Sequence, residues 1–126
     1  MSRRGDIVSE IHHLERKIDE CREKISRLLD EKAKIEKAKA EVEEGASIPN
    51  KSYDMTVCEK WRGKLESEAE GYQTEINRQH TICLNDISKL LSDIQRIIER
   101  LNEMIEEYEE RISDLEAELA ALPDNE

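Results

Sequence analysis

Three side chains in this 126-residue sequence have the chemistry of a metal or redox centre: Cys21, His80 and Cys83. If the chain reverses once, near Ser52, position i faces position 104 − i, and Cys21 and Cys83 share a layer. A zinc site would need a fourth ligand beside this trio, and the sequence offers none. A disulfide formed after export is a second reading. The third is two small apolar residues in a packed seam, which is how free Cys is most often found. Cys58 belongs to the edge of a loop, and three Cys without framework spacing do not make a disulfide scaffold.

The remaining candidates for chemistry are weaker. His12 and His13 are adjacent, so on a helix they point to different sides. Glu106, Glu107, Glu109 and Glu110 read as a solvated helix face, because catalytic carboxylates need a pocket that shifts their pKa values. No phosphate loop, catalytic triad pattern or nucleophile elbow occurs. The sequence therefore predicts a binding protein and not an enzyme, with no catalytic, cofactor or metal residues.

The elements that must position these residues are helices. Charged residues make up 40% and aromatics 3%, with no Phe, four Gly and two Pro. Such a chain builds its core from Ile, Leu and Ala, and the composition is that of long helices or a coiled coil. Disorder is excluded by periodicity: Ile11, Leu14, Ile18, Cys21, Ile25, Leu28, Ile35 and Val42 fall on alternating steps of three and four. Lys32 and Lys39 share that stripe. The spacing predicts a first helix over about 7–43, started by Ser9 and ended by Gly45. Ser47, Pro49, Asn50, Ser52 and Asp54 predict a loop over about 44–57.

A second helix is predicted over about 58–121, ended before Pro123. Its expected seam runs through Trp61, Leu65, Ala69, Tyr72, Ile76, Cys83, Ile87, Leu90, Ile94, Ile97, Leu101, Met104, Tyr108 and Leu115. Gln73 and His80 interrupt it, and a kink is expected near Gln79–Thr81. The fold class is thus an all-α, two-helix antiparallel coiled-coil hairpin whose second helix is the longer. In the 104 − i register nothing faces residues 101–122. They form an overhang of about 33 Å with an apolar stripe that asks for a partner.

Net charge is −11, and from Leu101 onward ten acids stand against Arg111 alone. Nucleic acid and anionic membranes are excluded as partners on this balance, since both attract Lys and Arg. A basic protein surface fits better. No apolar run approaches a membrane span and residues 1–6 do not begin a signal peptide, so folding in a reducing cytoplasm is expected.

Trp61-Arg62-Gly63 lies where the loop meets the second helix, and Lys64, Leu65, Ala69 and Tyr72 continue from it. This layout resembles the WXG superfamily, helical hairpins tied to type VII secretion. It is closest to the YwqH-like proteins, the small helical partners of LXG-domain toxins. The resemblance covers most of the chain in layout and is specific over residues 57–80. It implies an accessory that binds the helical LXG domain of a toxin and is co-exported with it, with a second small helical protein or a second copy as further partners. It places Trp61 and Gly63 at the hairpin tip. The Tyr-x-x-x-Asp/Glu signal of classical members is absent: Val57, Ile76 and Ile112 stand four after Tyr53, Tyr72 and Tyr108. That favours action alongside another secreted protein. The expected contact residues are Trp61, Gly63, Leu65, Tyr72, Leu101, Met104, Tyr108 and Leu115. The alternative is a generic coiled-coil adaptor or a prefoldin-like holdase, whose linker would carry alternating strand patterns.

Overall fold

The computed structural model describes residues 2–52 and 64–123. Helix α1 is Arg3–Val42, a π-helical turn is Glu43–Ser47, α2 is Ile48–Ser52 and α3 is Lys64–Ala121. The fold is all-α, with two long helices of which the second is the longer, as the heptad spacing predicts. The chain divides into two compact units. One joins Met1–Asp30 with Ile94–Glu126, and the other is Glu31–Asp93.

Helix α1 starts earlier than Ser9. Ser2 is its cap: the Ser2 hydroxyl accepts the Gly5 N–H at 3.0 Å, and the Ser2 carbonyl accepts the Asp6 N–H at 3.1 Å. Asp6 in the first turn adds a favourable charge at the helix N-terminus.

In the first unit α1 and α3 pack antiparallel over two clusters. Ile7, Ile11 and Leu14 enclose Leu115, with Tyr108, Ile112, Leu119 and Leu122 at the edge. Ile18 and Cys21 pack with Leu101 and Ile105, flanked by Ile25, Leu28 and Met104. Ile7 and Leu115 are wholly enclosed. Each such side chain stabilises by roughly 1.5–3 kcal/mol. Arg3 pairs with Glu118 at 2.6 Å and Arg111 with Glu10 at 3.3 Å. The Glu118 hydrogen bond and charge raise the Arg3 pKa. These pairs are half-exposed, so they fix alignment more than they stabilise.

The alignment corrects the expected one. In both ion pairs the residue numbers total 121, against the expected 104. The reason lies in residues 43–52, which are helical and not a loop. They lengthen the first arm and carry the register with it. Leu101 and Leu115 are therefore core residues, with Met104 and Tyr108 partly buried against them, and the overhang does not exist. Cys21 packs on Leu101 and Ile105 instead of Cys83, and both are free thiols, Cys21 buried and Cys83 exposed.

In the second unit the helical path survives Pro49 through the wide turn before it. The Ile48 N–H donates five residues back to the Glu43 carbonyl. A proline inside an α-helix meets the carbonyl four residues back and lacks an N–H to donate. The π-turn opens the spacing where that collision would occur. Asn50 then reaches α3: its side-chain amide donates to Asn77 Oδ1 at 2.6 Å and to the Gln73 carbonyl at 3.4 Å. The Gln73 amide donates back to the Asn50 carbonyl. This polar clasp specifies register where apolar packing is thin. Helix α3 runs unbroken through Gln79–Thr81, where the Thr81 hydroxyl donates to the Asn77 carbonyl at 3.0 Å.

Candidate partner-binding face

The side of α3 that meets the rest of the fold is read from burial. Ala69, Gln73, Asn77, His80, Leu84, Ile87 and Leu91 are buried or half-buried in the second unit. In the first unit Ile94, Ile98, Leu101, Ile105 and Leu115 continue the same steps of three and four. Ile76, Cys83, Leu90 and Ile97 were expected in this seam, but each lies one residue outside it and is exposed. The ambiguity is physical. Leu90–Leu91, Ile97–Ile98 and Met104–Ile105 put apolar residues at adjacent positions, so two stripes fit one spacing rule.

The outer stripe is the candidate site. Within the second unit Leu65, Tyr72, Ile76, Cys83 and Leu90 recur at intervals of seven, four, seven and seven. This keeps them on one face of α3 along about 38 Å. Leu65 is 60% exposed, Tyr72 71%, Ile76 44% and Leu90 47%. Thr74, Thr81 and Ser88, at positions flanking the other edge of the seam, are polar and exposed. A two-helix seam needs apolar residues at only two heptad positions. A third, on one side, widens the face to that of a helix with a further neighbour.

Two open grooves lie along this stripe. One of about 410 Å³ is lined by Asn50, Leu65, Glu68, Ala69, Tyr72, Gln73 and Ile76. The other, of about 370 Å³, is lined by Gln79, Ile82, Cys83, Asp86, Ile87 and Leu90. Neither lining contains Lys or Arg. Beside them Glu75 is held by Arg78 at 2.8 Å. Hydrogen bonds from Arg78 and then Gln79 lower its carboxyl from 4.5 to about 2.

Of the expected contact residues, Leu65 and Tyr72 lie on this face. Leu101, Met104, Tyr108 and Leu115 belong to the core of the first unit. Trp61 and Gly63, and the loop-edge Cys58, lie outside the described residues. The sequence reading missed Asn50, taken as a loop residue, and the acids Glu68 and Asp86 in the grooves. It had one usable signal, the polar seam residue Gln73, which marks where a polar partner must reach α3.

The second unit also holds Ser47 Oγ and His80 Nδ1 buried with no hydrogen-bond partner among the described residues. No group of three or more His, Cys, Asp or Glu among the described residues is arranged to hold a metal ion. Among these residues no helix is long and apolar enough to cross a membrane. Set against family models, curated proteins and solved structures, the chain matches none.

Proposed function

We propose that this chain is a non-catalytic helical binding module that docks a helix of another protein on the outer face of α3. The observation that carries the reading is the exposed stripe of Leu65, Tyr72, Ile76 and Leu90 on a chain that is 40% charged. Contiguous exposed apolar residues in so polar a surface mark an interaction site. Tyr is also enriched among the residues that anchor protein interfaces.

The partner we propose is the helical LXG domain of a toxin, for which the chain acts as a chaperone-like accessory in type VII secretion. The support for this finer reading is the resemblance around Trp61-Arg62-Gly63 and the stripe that follows it. The prefoldin-like alternative asks for extended strands where residues 43–52 are helical. The test is co-purification of the chain with an LXG domain encoded beside it, using the native chain and a Leu65→Ser, Tyr72→Ser double variant. The native chain retains the domain through gel filtration and the variant, with unchanged helicity, releases it. Equal retention by both removes this face from the reading, and no retention by either removes the toxin.

A further inference from the structure

The two units are held together unequally. All the buried hydrophobic side chains but Ala69 lie in the first unit, and in the second only Ala69 and Ser47 are buried among the described residues. Six large apolar side chains of the second unit, Ile48, Leu65, Tyr72, Ile76, Ile82 and Leu90, are exposed instead. Its stretch of α1 alternates Lys with aliphatics along the inward stripe: Lys32, Ile35, Lys39 and Val42 are each only half-buried. On α3 the half-buried stripe includes the polar Gln73, Asn77 and His80. The Ser47 hydroxyl and His80 Nδ1 are buried with no hydrogen-bond partner among the described residues, and a buried polar group left unsatisfied costs its desolvation. The Asn50 clasp on Gln73 and Asn77 ties α2 to α3 where so little apolar surface does.

The same stretch of α1 does not need that packing to stay helical. Residues 31–42 are Glu, Lys and Ala except for Ile35 and Val42, and those three are strong helix formers. Lys34 pairs with Glu31 at 3.3 Å, Lys32 with Glu36 at 4.0 Å and Lys39 with Glu43 at 4.0 Å, all along the helix itself. Detaching this arm breaks a thin contact and one polar clasp, and leaves the helix intact. Regions with few buried apolar contacts are also the ones that open first.

We infer that residues 31–52 are a strap that lifts from α3 as a helical piece while the first unit stays packed. Lifting uncovers Leu84, Ile87 and Leu91, which are half-buried in the closed form. They adjoin the exposed Cys83 and Leu90 in sequence, so the inner and outer stripes merge into one wide apolar face. On the docking role proposed above, the open form is then the tighter binder. The fraction of chains that are open scales the affinity for the docked helix.

The test is amide exchange of the full chain, read by mass spectrometry in water and across low urea. Amides over residues 31–52 and 65–93 are expected to exchange about 100-fold or more faster than those over 11–21 and 101–115, with one shared and shallower urea dependence. Circular dichroism is expected to hold steady over that urea range, since the strap keeps its helix. Asn50→Ala is expected to speed exchange of the second unit about tenfold and His80→Leu to slow it, neither moving the first unit. The affinity for an LXG domain encoded beside the chain follows the same order, highest in Asn50→Ala and lowest in His80→Leu. Equal exchange of the two units, or helix lost in step with exchange of the second, overturns the strap. LXG binding that ignores both variants overturns its control of docking and leaves the docking face standing. No LXG binding by any of the three chains removes the toxin, and the exchange rates alone then decide the strap.

Discussion

Leu115→Ala separates the observed register from the expected one. Leu115 is fully enclosed and touches Ile7, Ile11 and Leu14. Truncating a buried Leu loses its transfer free energy and leaves a cavity, a cost of about 2–5 kcal/mol. The enclosure on all sides places this site in the upper part of that range, about 3–5 kcal/mol. Leu90 is the control. It is 47% exposed, so its truncation forfeits about half the burial of a Leu, roughly 1 kcal/mol. In the 104 − i register the order inverts: Leu115 would stand on an unpaired overhang and Leu90 would face Leu14. The assay is urea unfolding followed by circular dichroism on both variants and the native chain. A Leu115→Ala cost below about 1 kcal/mol, or one no larger than that of Leu90→Ala, refutes the register.

His80→Leu is expected to stabilise the second unit by about 1 kcal/mol, since it removes from the seam a buried nitrogen with no hydrogen-bond partner among the described residues; a raised urea midpoint checks it. Asn50→Ala removes the side-chain amide that donates to Asn77 Oδ1 and to the Gln73 carbonyl and costs about 1–2 kcal/mol, read as faster amide exchange over residues 48–52. The Glu75 carboxyl is expected to titrate near 2 when followed by carbon-13 NMR, and to return toward 4.5 in Arg78→Ala. Because its folded value is depressed, the stability it contributes is present above 4.5 and is lost as pH falls toward 2, with salt weakening it. Cys83 is expected to react rapidly with a thiol reagent in the native protein, and Cys21, packed against Leu101 and Ile105, only on opening of the first unit.

The helical class was legible because period is a strong signal in a chain with few breakers. The α1 seam was also legible residue by residue, from Ile11 to Val42, since every position but Leu28, which is followed by the exposed Leu29, has polar neighbours and the spacing leaves one stripe. On α3 the doubled apolar positions 90–91, 97–98 and 104–105 removed that uniqueness, and only a packed partner chooses between them. The turn around Pro49 failed for a different reason. Gly45, Ser47, Pro49 and Asn50 are each locally poor in an α-helix, and a wider helical turn relieves the conflict in a way propensity does not encode. The face carrying Leu65 and Tyr72 was half read: the residues were chosen, but as members of the seam. The acids beside them were invisible until burial showed which side of α3 lies open.

The π-turn at Glu43–Ser47 also leaves a trace of phase. One turn of it holds a residue more than an α-turn, so everything after Ser47 is rotated by about 100° relative to an uninterrupted helix. That rotation is what aims the Asn50 amide at Gln73 and Asn77. Insertions and deletions of a single residue are therefore not equivalent along this chain. Deleting Ala46 would remove that extra residue and let the turn become ordinary α-helix; Asn50 would keep its phase, but the Pro49 ring would be brought against the carbonyl four residues back. A residue deleted from regular helix elsewhere in α1 has no wide turn to absorb it and would rotate everything downstream by about 100°.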